Sequence, residues 1–147
     1  MKLILGRIVM ENGAVIPFEL YPECSPITVE NFVKLVKEGY YNGKTFHRCI
    51  PNFVSQGGCP KGDGTGDLGY HIVNEALKSD LKHVEGSMAM ARAMHPDSAC
   101  CQFYICHCPQ PHLDGSYTIF GRATDNLGAV RAMRNGDVMV KVEIIEE

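Results

Sequence analysis

Apolar and polar positions alternate along most of this chain, and the pattern predicts strands. The segment "LILGRIVMENGAVIPFEL" holds two β-rich runs on either side of Asn12-Gly13, the pair that a two-residue type I′ hairpin prefers. Pro17 cannot donate to a ladder, which predicts an edge strand or a bulge for the second run. The period then changes. Val29, Phe32, Val33 and Val36 recur at helical spacing behind Ser25, a good N-cap, and Pro26, a good first helical residue. Gly39 supplies the stop.

Strands follow again. "TFHRCI" and "NFVSQ" read as two strands around a turn at Pro51-Asn52, and "GSMAMA", "CQFYICH" and "YTIFGRA" as three more. "NLGAVRAMRNG" carries Leu127, Val130 and Met133 on one helical face, with Gly136 ending it. The tail "DVMVKVEII" alternates, which predicts Val138, Val140, Val142 and Ile144 on one side of a last strand. About eight strands spread over the whole length with two helices predict a mainly β fold, a closed barrel or sandwich with the helices at its ends.

Composition narrows the class without changing the picture. A length of 147 residues suits one domain over 1–147. With 45% hydrophobic and 21% charged residues the chain reads as globular and water-soluble. A net charge of −3 argues against nucleic acid or an anionic membrane surface as the main partner. No apolar run approaches the roughly 20 residues of a membrane span. "MKLILGRIV" is broken by Gly6 and Arg7, so it reads as a first strand, and a cytoplasmic monomer is the default expectation. The seven cysteines are odd in number and imply reduced thiols rather than a disulfide framework.

The familiar chemical motifs are missing. The glycine-rich stretch after Gln56 lacks a G-x-x-x-x-G-K-[ST] pattern, and Asp63 and Asp67 would repel phosphate. "DGTGDLGYHIVN" has Leu68 where a calcium loop needs glycine. His83-Val84-Glu85 opens like a zinc deaminase motif, but no P-C-x-x-C follows. "CHCPQPH" is the best metal candidate, yet its spacing matches no standard zinc site, and thiols lying beside a strand explain it as well. No metal or cofactor is therefore expected. What stands out is Arg48, a lone cation among Phe46, Ile50, Phe53 and Val54. It reads either as a structural ion-pair partner or as a fixed cation serving an apolar pocket. His47 beside it reads as a rim histidine or a general base. Strand parity puts Val54 and Gln56 on one face, and Gln102 and Tyr104 on one face.

Taken in order, "FHRCIPNFVSQGG", "GDGTG", "GSMAMA", "CQFYI", "LDGSYTIFG" and the Ser25-Pro26 helix closely resemble the cyclophilin-type peptidyl-prolyl cis–trans isomerases, in their compact bacterial form. The resemblance spans nearly the whole chain. It implies a closed eight-stranded antiparallel β-barrel capped by two α-helices, and an enzyme that rotates Xaa-Pro bonds in folding protein clients without a covalent step. It makes Arg48 the catalytic arginine. It places His47, Phe53, Val54, Gln56, Ala89, Met90, Ala91, Gln102, Tyr104, His112, Leu113 and Tyr117 around the substrate, with the Met90 backbone pairing to the peptide. Val54 stands for a frequent methionine, Tyr104 for phenylalanine, His112 for tryptophan and Tyr117 for histidine. The Tyr104 hydroxyl needs a partner or water. His112 implies weak binding of cyclosporin, which the family's tryptophan contacts. A prolyl-peptide binding or chaperone module with weak catalysis, and a redox or metal role for the cysteines, are the competing readings.

Overall fold

The computed structural model describes residues 2–147, and its backbone forms one nearly closed antiparallel sheet of nine strands. In chain order they are β1 (Ile4–Met10), β2 (Val15–Leu20), β3 (Thr45–Phe46), β4 (Arg48–Ile50), β5 (Val54–Gly57), β6 (Ser87–Met90), β7 (Phe103–Cys106), β8 (Ile119–Ala123) and β9 (Asp137–Glu146). They lie side by side in the order β3-β9-β1-β2-β8-β6-β7-β5-β4. The ninth strand arises because "TFHRCI" is not continuous. It breaks at His47, so β3 pairs with β9 while β4 pairs with β5. The barrel closes across that break, where Gly58 N–H donates to Thr45 C=O at 3.2 Å. A Cβ on Gly57 would lie 2.6 Å from the Thr45 carbonyl oxygen, so the approach needs glycine there.

Helix α1 (Pro26–Lys37) begins and ends near the expected signals, but Ser25 does not cap it. The Ser25 hydroxyl donates instead to Ile119 C=O at 2.7 Å. The cap comes from far along the chain. The Glu75 carboxylate accepts from Thr28 N–H at 2.7 Å, Ile27 N–H at 3.2 Å and Thr28 Oγ1 at 2.8 Å. Burial alone would raise the Glu75 pKa, but these donors and Lys78 outweigh it and hold the carboxyl below its ordinary range. A charged carboxylate against a helix N-terminus meets both the free N–H groups and the helix dipole. Helix α2 (Leu127–Arg131) is shorter than its stripe predicts, although Val130 and Met133 are both buried.

Three further local expectations give way to geometry. The first hairpin has a three-residue loop rather than a type I′ turn. Only Gly13, at φ +92°, has positive φ there, and Met10 C=O accepts from Gly13 N–H while Met10 N–H donates to Ala14. That is a turn followed by a glycine bulge. β2 is not an edge, since it pairs with both β1 and β8. Pro17 is tolerated because the β2–β8 ladder begins only at Phe18. In β9, Met10 pairs with Met139 and Val9 with Lys141, so Val140 is a bulge residue. The bulge resets the alternation. Met139 and Val142 are buried while Val140 is 43% exposed.

The barrel interior is built around Phe32 of α1, whose ring meets Phe18, Tyr41, Phe103 and Phe120 at centroid distances of 4.9–6.0 Å. Met88, Met90, Phe103 and Ile105 point into this core from β6 and β7. Their neighbours Ala89, Tyr104 and Cys106 face the other way, into a second apolar cluster with Val54 and Ile119 outside the barrel wall. Phe53, Leu113 and Tyr117 cover that cluster. β6 and β7 are thus buried on both faces, which explains their unalternating sequences.

Candidate active site

The register lines up one row of side chains across five strands. Arg48 on β4 is opposite Gln56 on β5, Gln56 opposite Tyr104 on β7, Tyr104 opposite Ala89 on β6, and Ala89 opposite Ile119 on β8. Successive partners in a sheet project from the same face. One face of the barrel wall therefore carries a guanidinium, an amide, a phenol and two small or apolar residues in line. The turn at Pro51-Asn52 folds Phe53 back toward Arg48. Asn52 has φ +61° and Phe53 N–H donates to Ile50 C=O at 3.1 Å, as in a type II turn. The Arg48 guanidinium carbon then lies 5.9 Å from the Phe53 ring centroid.

A cleft of about 330 Å³ opens over this row. Of the residues expected at the site, His47, Arg48, Phe53, Val54, Gln56, Ala91, Tyr104, Leu113 and Tyr117 line it. Gln102 lines an adjoining groove of about 300 Å³ that shares Gln56, Gly64, Ala91 and Arg92 with the first. His112 is exposed at the edge and stacks on Phe53 at 5.8 Å. Ala89 and Met90 depart from the expectation. Ala89 is fully buried beneath the cleft floor. Met90 turns its side chain into the barrel core and donates its N–H to Thr118 C=O at 2.9 Å, so that N–H is not free for a peptide. β6 is paired with β7 on one edge and β8 on the other, so it has no free edge to offer.

The polar side of the cleft is a chain of oriented hydrogen bonds. Arg48 Nη1 donates to Gln56 Oε1 at 3.2 Å, Gln56 Nε2 to Gln102 Oε1 at 3.1 Å, and Gln102 Nε2 to Gly64 C=O at 3.2 Å. A guanidinium can only donate and a carbonyl can only accept, so both amides are held in one orientation. Among the described residues no carboxylate lies within ion-pair distance of Arg48. The structural ion pair that would have explained an arginine here does not form. A guanidinium has five donors, and this one gives a single bond to Gln56.

His47 stands on the cleft wall with Nδ1 buried and without a partner. Burial and then the neighbouring Arg48 charge lower its pKa, against a weaker pull from Asp63, so the ring is neutral near pH 7. The opposite wall holds Arg92, which the sequence reading missed. It donates to the carbonyls of Ser116, Ala93 and Met94 and sits 4.5 Å from the Tyr117 ring centroid. Asp63 and Gly64 were also missed. They lie in the glycine loop, where only folding brings the chain back over His47.

Behind the cleft floor the Tyr104 hydroxyl has found its partner. His83 Nε2 lies 2.8 Å from it, and His83 Nδ1 lies 2.8 Å from Asp114 Oδ1. The sequence offered these residues only as half of an unfinished zinc motif and as part of "LDG". The cysteines are not gathered. All seven are free, and among the described residues no three His, Cys, Asp or Glu side chains are placed to hold a metal ion. His107 of the "CHCPQPH" segment is instead bonded to Ser55 Oγ at 2.8 Å.

Comparison with known proteins identifies the family and the fold. The family model described as cyclophilin type peptidyl-prolyl cis-trans isomerase/CLD matches residues 7–146. The chain is 51% identical over 139 residues to peptidyl-prolyl cis-trans isomerase B of Bacillus subtilis, covering 95% of this chain and 96% of that protein. It is 48% identical to a peptidyl-prolyl cis-trans isomerase of Synechococcus elongatus, covering 93% of each. Among solved structures, a cyclophilin type peptidyl-prolyl cis-trans isomerase of Cryptosporidium parvum superposes with a TM-score of 0.89 at 28% identity over 99% of both chains. A crystal structure of the same Cryptosporidium protein in the presence of the dipeptide Ala-Pro gives a TM-score of 0.81 at 30% identity, covering 98% of this chain and 96% of that one.

Proposed function

This chain belongs to the cyclophilin-type peptidyl-prolyl cis–trans isomerases, and from that premise we propose that the cleft beside Arg48 is where it rotates the Xaa-Pro bond. The chain is an isomerase of that family and takes proline-containing peptides, and the roles below are our reading of its site. The observation that carries it is a guanidinium with no ion-pair partner among the described residues, bonded to Gln56 in a cleft whose other wall holds Phe53, Val54 and Leu113.

Amide resonance sets a barrier of about 18–20 kcal/mol to rotation. The twisted transition state loses that resonance, and the proline nitrogen becomes pyramidal with a localised lone pair. A donor aimed at that lone pair stabilises the twisted state over both planar ones, which is the condition for catalysis. Arg48 supplies such a donor with a permanent charge. Phe53, Val54, Tyr104 and Leu113 hold the proline ring. Gln56, Gln102 and Ala91 hold the backbone on the other side of the bond, with His47, Tyr117 and His112 flanking. One side is fixed while the other turns. No step needs a nucleophile, a metal or a cofactor.

The partners are unfolded or folding clients with accessible prolines, and the net charge of −3 disfavours nucleic acid and anionic membrane surfaces. We place the protein in the cytoplasm as a monomer, in keeping with its seven free thiols. None of its helices is long and apolar enough to cross a membrane, among the described residues. Cyclosporin binding is weak, because His112 offers little apolar area beside Phe53.

The test is NMR exchange between cis and trans forms of a short Xaa-Pro peptide. Arg48→Ala is expected to lose at least about a hundredfold in kcat/KM, as for the loss of an oriented transition-state donor. Arg48→Lys is expected to recover little, since it restores charge without the planar fork. A variant lacking the guanidinium that exchanges the peptide at the wild-type rate refutes the role of Arg48.

A further inference from the structure

Asp114 and His83 stand behind the cleft wall that Tyr104 forms, bonded to its hydroxyl end, and neither has a part in the function described above. His83 is 1% exposed and Tyr104 4%. Asp114 Oδ1 receives both the His83 backbone N–H at 2.7 Å and the ring Nδ1–H at 2.8 Å. The carboxylate thus fixes the ring and its tautomer together. With the proton on Nδ1, His83 Nε2 is an acceptor, and the Tyr104 hydroxyl at 2.8 Å donates to it. The two ring planes lie within 11° of parallel, with centroids 5.9 Å apart. On its other side Tyr104 meets Tyr117 edge-on at 6.0 Å. A phenol in a cleft wall could turn its hydroxyl into the cleft, but here the proton is committed away from it.

We propose that His83 and Asp114 are positioning residues for the proline pocket, holding the Tyr104 ring as a fixed wall through its hydroxyl so that proline meets an ordered apolar face. This rests on the reading of the cleft as the proline pocket. The groups facing His83 are Asp114, Tyr104 and His112. Those facing the Tyr104 hydroxyl end are Cys106, Tyr117, Arg92 and Asp114. Of these only Asp114 and Tyr104 bond to the His83 ring, so they set its proton. A neutral ring keeps Nε2 free to accept. A doubly protonated ring has no acceptor, and the hydroxyl proton must then point elsewhere. Burial lowers the His83 pKa and Asp114 only partly offsets it, so the accepting form is the one present near neutral pH.

The experiment measures kcat and KM for Xaa-Pro exchange with five variants, alongside the ¹⁵N NMR signature of the His83 ring. His83→Leu is expected to raise KM about tenfold with a smaller change in kcat, the scale of one lost buried hydrogen bond. His83→Gln, which keeps an acceptor for the hydroxyl, is expected to recover most of that loss. In the Tyr104→Phe background His83→Leu is expected to change KM less than twofold, because the bond it removes is already gone. The wild-type ring is expected to carry its proton on Nδ1. A His83→Leu effect of equal size in both backgrounds, or a proton on Nε2, overturns the proposal. If His83→Leu loses its fold, the tautomer and a His83→Gln KM within about threefold of wild type decide it, and a proton on Nε2 still overturns it. Leu113→Ala separates the two readings. If it weakens KM while His83→Leu does not, only the positioning role falls, and if it too has no effect the pocket itself is misassigned.

Discussion

Replacing Glu75 tests how a residue outside the cleft holds the fold that builds it. Its carboxylate is 1% exposed and caps the first turn of α1 from 47 residues away. In Glu75→Ala the Thr28 N–H and Oγ1–H, on a residue with 0% exposure, lose their acceptor. Each costs about 1 kcal/mol when left buried and unmade. Loss of the charge against the helix dipole adds about 0.5–1 kcal/mol. The bond to Lys78 counts for little because that side chain is 49% exposed. The Ile27 N–H counts for little too, on a residue 41% exposed and able to reach water. The expected loss is about 3 kcal/mol, or about 10 °C in Tm for a chain of this size. Glu75→Gln keeps one acceptor and is expected to lose about half as much.

The pH dependence gives a second handle. The Glu75 carboxyl is held below its ordinary range in the fold, so it binds protons more weakly there than in the unfolded chain. Its contribution is therefore fully present above the unfolded value of about 4.3 and is lost as pH falls through the lower folded value. The gap between wild type and Glu75→Gln should be widest at neutral pH and narrow in acid. Far-ultraviolet circular dichroism with urea is the suitable assay, since the chain has no tryptophan. A Glu75→Ala variant within about 0.5 kcal/mol of wild type at pH 7, the scale of an unremarkable surface change, refutes the reasoning.

Gly57→Ala should destabilise by about 1–3 kcal/mol, because the added methyl meets the Thr45 carbonyl at the barrel closure; urea denaturation checks it, and a neutral result means the closure can yield. Cyclosporin should bind far more weakly than nanomolar by calorimetry, and a nanomolar constant would show that His112 replaces tryptophan without loss. Burial pushes the Cys101 and Cys106 thiols up to about 12, so both should react with a disulfide reagent near neutral pH only after unfolding. Thiol counting before and after denaturant reads this directly, and prompt labelling of either in the folded protein would contradict it.

Much of this protein was legible in its sequence because the signals are local. The α1 stripe at Val29, Phe32, Val33 and Val36 is a matter of spacing, and all four are buried. The parity of Val54 with Gln56 and of Gln102 with Tyr104 follows from the pleat alone, and the ordered blocks around Arg48 carry the family. What tertiary structure decided is everything set by meetings between distant segments. Whether Ser25 or Glu75 caps α1 depends on which oxygen folding brings to its first turn. The break at His47 exists because one strand serves two neighbours, and the Val140 bulge because β1 and β9 must stay in register around a curved wall. Met90 could not be told from a groove residue, since β6 is buried on both faces and shows no alternation. The partner of the Tyr104 hydroxyl is 21 residues away and that partner's own carboxylate a further 31. Spacing of that length has no period to read, and only the packed barrel joins the three.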